Sequence, residues 1–236
     1  QFCIITDTER QVKMSIIART LVPNIAIVDP LILRTKPESL IIHAAIDALA
    51  HAIEAYMSRI ASPLTEMHSL KAVDIILAHL PAAVATRSLE ALERLSIASV
   101  SASMAFSNAS LGAEHALAHS LGGYFDMQHG LVHPILLPSF MRFNLPFNTQ
   151  KMAELGRVIM KKELGSDEET AQAGIERLDD FFASFDVPLR LREIMPEQSR
   201  SALAHICQMA VQDACNLTNP KPATREEFLQ IVEEVW

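Results

Sequence analysis

The spacing of apolar and polar positions changes its period once along the chain. Residues 2–6 and 12–17 are apolar or β-branched runs, and the polar segment Asp7-Thr8-Glu9-Arg10 between them suits a hairpin turn. Pro23-Asn24 precedes a third such run at residues 25–28, which Asp29-Pro30 closes. The first thirty residues therefore predict mostly β structure. Beyond them no strand pattern of that quality appears, and helical spacing takes over near residue 36.

Thr35 and Glu38 stand at capping-box spacing with Pro37 early in the first turn, so a helix is expected past His51 to about Ser58. Ser62-Pro63 opens a second helix to about Ala85, which Pro81 is placed to bend or end. A third is expected over residues 89–103, and a fourth carries His115 and His119 until Gly122-Gly123 breaks it. A fifth follows His129 and is interrupted around Pro138. Asn148 caps a sixth reaching about Glu163, and Ser166 with Glu169 caps a seventh to about Phe185. In that seventh helix Ile175, Leu178, Phe181 and Phe182 recur at helical spacing and read as core. Shorter helices fill residues 197–214, and Thr224 with Glu227 caps the last, ending at Trp236.

Composition supports the helical reading. Half of the 236 residues are hydrophobic, only 6% are aromatic, and Gly is scarce at 7. Ala and Leu dominate the middle of the chain, which favours packed helices over sheet. Net charge is −8 with no basic run, so no nucleic-acid partner is expected. No uninterrupted apolar stretch of membrane-span length stands out, so no membrane partner is expected either. Three cysteines, Cys3, Cys207 and Cys215, form no framework and read as reduced thiols of a cytoplasmic protein.

Four of the nine histidines fall between residues 115 and 133. His115 and His119 are four apart and share one helix face; His129 follows beyond the glycine pair. Upstream, Asp47 and His51 are also four apart in an Ala-rich helical pattern. Such a pair is costly to bury unless something charged satisfies it. Asp47, His51, His115 and His129 offer three nitrogens and one oxygen, a set that suits iron(II) or zinc. A lone Asp or His in such a helix is ordinarily a polar residue with a hydrogen bond, so spacing alone leaves both readings open.

Longer signatures extend the pattern. They comprise DALAHAIEAY at residues 47–56, Phe106-Ser107-Asn108, Leu111-Gly112, His115 with His119, Leu121-Gly122, His129-Gly130, Leu136-Leu137-Pro138 and the closing Asn219-Pro220-Lys221-Pro222-Ala223-Thr224. Together these resemble the iron-containing, group III metal-dependent alcohol dehydrogenase family over nearly the whole chain. Ala45 stands where that family usually has Gly, a change expected to alter local packing only.

The resemblance implies a mainly α fold, the helical metal-binding domain of a dehydroquinate-synthase-like architecture. Residues 36–236 would form that catalytic domain, and residues 1–35 a β-hairpin and strand remnant of an N-terminal α/β nucleotide-binding domain. It implies reversible hydride transfer between an alcohol and NAD or NADP, with a metal polarising the alcohol or aldehyde oxygen. Iron(II) is the first choice of metal and zinc the second. Asp47, His51, His115 and His129 are implied as its ligands. His119, one turn beyond His115, takes a substrate or proton-transfer role, or orients a ligand. Phe106 and Cys215 are placed in the substrate pocket, and Lys13 and Leu40 against the nicotinamide cofactor. His133 and His43, four residues from His129 and Asp47, could approach the site; the plainer reading of His133 is a partly exposed helix histidine.

No Gly-rich phosphate loop follows a strand in this sequence. The resemblance places that motif upstream of Gln1, so the chain is expected to be the C-terminal part of such an enzyme, holding a nicotinamide weakly by itself. A homodimer or larger homo-oligomer is expected, with a small alcohol or aldehyde as substrate. Two other functions fit the same architecture: a helical metal-binding domain without its own activity, and a metal-dependent sugar-phosphate cyclase. The Asp-His-His-His set favours the dehydrogenase.

Overall fold

The structure is a computed structural model that describes residues 2–10 and 12–236. Strands β1 (Phe2–Asp7) and β2 (Val12–Ile17) form an antiparallel hairpin in which Phe2 faces Ile17 and Asp7 faces Val12. Asp7 fastens the turn by accepting backbone hydrogen bonds from Glu9 and Arg10, both 3.0 Å. The third expected strand does not form. Residues 25–28 are irregular, with Ile25 80% and Ile27 89% exposed, because among the described residues no neighbouring strand offers them a ladder. Short 3-10 turns follow at Arg19–Leu21 and Pro30–Thr35.

Ten α-helices, joined by loops and short 3-10 turns, dominate the rest of the described residues. They are α1 (Glu38–Met57), α2 (Pro63–Thr86), α3 (Leu89–Ala109), α4 (Ala113–Phe125), α5 (His133–Asn144), α6 (Thr149–Met160), α7 (Asp167–Ala183), α8 (Leu203–Gln212), α9 (Ala214–Thr218) and α10 (Arg225–Glu234). The expected caps at Ser62, Ser166 and Thr224 are present. Thr35 does not cap α1; its hydroxyl donates to the Ile32 carbonyl, and Pro37 holds the N-cap position. Asn148 precedes α6 without a side-chain cap; its side-chain NH2 donates to the Met57 carbonyl at 3.3 Å. Pro81 and Pro138 sit inside α2 and α5 without ending them.

The Gly122-Gly123 pair does not break its helix either. Both residues are buried inside α4, which runs on to Phe125 and ends with Asp126 in the left-handed region at φ 51°. The packing of this buried stretch outweighs the propensity cost of about 1 kcal/mol per glycine. Lys13 of β2 lies over it; a Cβ on Gly122 would sit 2.9 Å from the Lys13 Nζ, the flexible end of a side chain that can shift.

Two apolar cores flank α1 and α4. One gathers α1, α2, α3, α6 and α7, including the expected stripe of Ile175, Leu178, Phe181 and Phe182. The other gathers α4, α5, α8 and α10 around Leu117, Phe140, Ile206 and Phe228. Against the expectation from the apolar runs, α1 and α2 are each long and apolar enough to cross a bilayer by length and composition. In this fold α1 is a core helix, with 78% of its apolar window buried inside the protein, whereas 39% of that of α2 is buried.

Helices α6 and α7 meet where two glycines touch. A Cβ on Gly156 would lie 2.3 Å from the Thr170 carbonyl oxygen, and one on Gly174 would lie 2.6 Å from the Gly156 Cα. Gly156→Ala gains about 1 kcal/mol of helix propensity. It should nonetheless destabilise the protein by about 1–3 kcal/mol, because the clash is with backbone that cannot yield locally. Gly165→Ala is the control, since its nearest neighbour is the flexible Glu169 carboxylate. Equal urea midpoints for Gly156→Ala and the unmodified protein would refute this account of the crossing.

Candidate metal centre

The site begins on α1. Asp47, His51 and Glu54 stand at i, i+4 and i+7, so they line one stripe of a helix whose other residues are mostly buried and apolar. Glu54 is 2% exposed, far more buried than a free carboxylate tolerates. Its partners come from α4. One oxygen accepts the Glu114 backbone N–H at 2.9 Å and the other lies 2.5 Å from the His115 Nδ1. A carboxylate at a helix N-terminus also meets the positive end of the helix dipole.

A second group anchors the same helix end. The Asn219 side-chain oxygen accepts the Ala113 N–H at 3.1 Å, and Asn219 is itself held by the Asn144 amide. Gly112 permits this convergence, because a Cβ there would sit 2.6 Å from Glu54 Oε1 and 2.7 Å from Asn219 Oδ1. The closing Asn-Pro-Lys-Pro motif thereby sets the position of α4, and α4 carries His115 toward Asp47. His129 arrives from the other side, on a 3-10 turn, His129–Leu131. Gly130 lets that turn lie directly on α1; a Cβ there would be 2.7 Å from the His43 Cβ and 2.8 Å from its carbonyl oxygen.

These elements gather four imidazoles around one carboxylate oxygen. Asp47 Oδ1 lies 3.1 Å from His133 Nε2, 3.5 Å from His51 Nε2, 3.5 Å from His115 Nε2 and 3.8 Å from His129 Nε2. The rings stack or meet edge to edge, with centroids 4.5 Å apart for His51 and His115 and 4.7 Å for His129 and His133. The donor atoms of Asp47, His115, His129 and His133 all lie within 4.8 Å of one another. Asp47 Oδ1, His115 Nε2 and His133 Nε2 are buried with no hydrogen bond of sound geometry. Buried polar groups are rarely left so. Nitrogen lone pairs and a carboxylate oxygen aimed at one point fit a cation, so the residues suit a divalent metal.

Electrostatics agree with that geometry. Burial by itself would raise the Asp47 carboxyl, but the imidazoles of His51, His115 and His133 outweigh it and hold it well below the usual range. Burial pushes His51 down to about 3 and also lowers His129, both beside other imidazoles. His115 and His133 move the other way. Burial opposes their charge, but Glu54 and Glu114 raise His115 well above its ordinary value, and Glu114 with Asp47 brings His133 to about 9.

The remaining expected residues take varied places. His119 Nδ1 pairs with Asp213 Oδ2 at 3.0 Å, and its ring stacks on His129 at 5.4 Å. With Lys13, Ser120, Met209, Gln212 and Asp213 it lines a cavity of about 190 Å³. Lys13 is half-buried there rather than solvated; burial lowers its pKa against the opposing pull of Asp47 and Asp126. Phe106 stacks on His51 at 4.5 Å. Cys215 is buried beside Asp213, to which its backbone N–H donates at 2.8 Å, and burial raises its thiol well above the ordinary range. Leu40 lies in the first turn of α1 and is 38% exposed.

His133 departs from the reading of a partly exposed helix histidine. It is 0% exposed and is the imidazole nearest Asp47. Glu54, Glu114 and Asp213 had no assigned role, although Glu54 continues the Asp47–His51 stripe by i+7 and could have been found by extending it. Glu114 and Asp213 gave no such signal, since His133, which Glu114 orients, and His119, which Asp213 holds, lie 19 and 94 residues away from them in sequence.

Comparisons place this arrangement among known proteins. The 1,3-propanediol dehydrogenase of Klebsiella pneumoniae is 34% identical over 236 residues, covering 99% of this chain and 60% of that protein. The NAD-dependent methanol dehydrogenase of Bacillus methanolicus is 34% identical over 232 residues, covering 98% of this chain and 60% of that protein. The chain thus spans about 60% of the length of these curated relatives. A crystal structure of 1,3-propanediol oxidoreductase superposes with a TM-score of 0.94 at 34% identity, over 100% of this chain and 62% of that one. Residues 41–236 match the model of the C-terminal part of the Fe-containing alcohol dehydrogenase family. With nearly all of the helical region inside that match and the same fold in a solved relative, the chain belongs to the iron-containing alcohol dehydrogenase family.

Proposed function

We propose that this chain is the metal-binding catalytic part of an NAD- or NADP-dependent alcohol dehydrogenase acting on small primary alcohols and their aldehydes. The observation that carries the proposal is the convergence of Asp47 with buried imidazole nitrogens that have no other partner. Asp47, His51, His115 and His129 would hold a divalent ion, iron(II) before zinc. When bound, such an ion supplies a Lewis acid that favours ionisation of an alcohol and polarisation of a carbonyl.

The chain's own residues supply the rest. Glu54 accepts a hydrogen bond from the His115 Nδ1–H, the tautomer that leaves Nε2 unprotonated for ligation. Asp213 does the same for His119, whose Nε2 is then free to take a proton released from the substrate hydroxyl or to return it. Phe106 forms an apolar wall against His51 and limits water near the reacting carbon. Lys13, from β2, lines the cavity beside His119 and would contact the cofactor there. The free thiols accord with a cytoplasmic location.

The protein loaded with iron(II) or zinc should carry about one ion per chain, and should oxidise short primary alcohols such as 1,3-propanediol at high NAD or NADP, since this chain by itself would hold the nicotinamide weakly. Elemental analysis and nicotinamide absorbance read the two outcomes. Failure to retain either metal would sink the proposal.

A further inference from the structure

His133 stands outside the ligand set just named, yet it has the features of a ligand. Its Nε2 is 3.1 Å from Asp47 Oδ1, closer than any other imidazole nitrogen of the cluster. That atom is buried without a hydrogen-bond partner. Its ring packs 4.8 Å from His115 and 4.7 Å from His129, centroid to centroid. It opens α5 directly after the turn carrying His129, so the elements that deliver His129 deliver His133 too.

The opposite edge of the ring is held as metal-bound imidazoles usually are. His133 Nδ1 lies 2.8 Å from Glu114 Oε1, and Glu114 is 0% exposed. Glu114 Oε2 lies 3.0 Å from His115 Nδ1, so one buried carboxylate spans two neighbouring rings. A carboxylate on Nδ1 fixes the tautomer and turns the Nε2 lone pair outward. In the metal-free protein an imidazolium can bridge Glu114 and Asp47 through these two contacts; with a cation bound, the same geometry turns the Nε2 lone pair of the neutral ring into the cluster beside Asp47.

Resting on the metal site proposed above, we infer that His133 is a further ligand of that ion and that Glu114 is the positioning residue that orients it. Asp47, His51, His115, His129 and His133 then provide five donors. That number exceeds the four preferred by zinc and suits iron(II), which accepts higher coordination.

The test uses the protein labelled with 15N and 13C and loaded with 113Cd, each histidine being assigned through its own backbone. One-bond coupling between cadmium and His133 Nε2 is the expected result. Cadmium coupled to His115 but not to His133 overturns this inference and leaves the metal site standing; no cadmium binding overturns both. Variants give a second readout through cobalt(II). His133→Asn should bind cobalt at least 100-fold more weakly and change its visible absorption. Glu114→Gln should lose about 10-fold in affinity and keep the absorption of the unmodified protein. A folded His133→Asn with unchanged affinity and spectrum would overturn the ligand role, and an unchanged affinity in Glu114→Gln would overturn the positioning role.

Discussion

Replacing His115 by alanine is expected to empty the metal site and to destabilise the protein even without metal. The first effect follows from position: His115 is 0% exposed and its Nε2 is 3.5 Å from Asp47 Oδ1. The second follows from what the ring leaves behind. Glu54 and Glu114 both rest on its Nδ1, at 2.5 and 3.0 Å, and both are buried. Removing one partner of a buried ion pair costs about 3–5 kcal/mol, because the other charge stays uncompensated. His68→Ala is the control. That ring is half-buried and bonded to Ser101 at 3.1 Å, apart from the cluster. Elemental analysis and urea unfolding in chelator measure the two effects separately. Retention of a full equivalent of metal by His115→Ala would remove it from the ligand set.

The metal-free protein should be most stable near pH 6.5 and weaken on either side. His133 stands at about 9 when folded, against about 6.5 in an unfolded chain. Its contribution is complete below pH 6.5 and is lost as pH rises through 9, since the folded state then holds the extra proton. The shift corresponds to on the order of 3 kcal/mol, and His115 moves in the same direction. On the acid side His51 stands at about 3, and His129 is also lowered. Below pH 6.5 the unfolded chain binds protons that these two folded imidazoles refuse, so stability falls with pH. Asp47, depressed in the fold, adds a loss in the same sense below the unfolded carboxylate range.

Bound metal should change that profile. Ligation needs neutral imidazoles, so the ion competes with protons and stabilises most at higher pH. Urea midpoints at pH 5, 6.5 and 9, with chelator and with added metal, give the comparison. A flat chelator profile between pH 6.5 and 9 would mean that His133 and His115 are not charged in the metal-free fold. If metal leaves the pH 9 midpoint unmoved, the ion does not tie these elements together.

Much of the helical framework was legible because it is written in local spacing. The caps at Ser62, Ser166 and Thr224 act within four residues, as does the pairing of Asp47 with His51 on one face of α1. The stripe of Ile175, Leu178, Phe181 and Phe182 needed only the helical period to be read as core. The misreadings came where a local signal competes with a distant one. Gly122-Gly123 has the composition of a helix end but is carried through α4 by the packing of that buried stretch. Residues 25–28 have the composition of a strand but no partner strand.

By itself the sequence determined a helical chain bearing Asp47 with His51 and His115 with His119 at four-residue intervals, since helix geometry turns such an interval into a shared face. Only the tertiary structure decided how the cluster closes. Glu54 reaches His115 across 61 residues, Asp213 reaches His119 across 94, and Asn219 caps α4 across 106. Glu114 and His133, 19 residues apart, meet because the chain turns back at residues 126–132 and buries both against α1. Such pairings depend on which faces the two cores bring together, and no interval along the chain encodes them. Burial then makes each pairing necessary, because a charge removed from water must find its partner inside the fold.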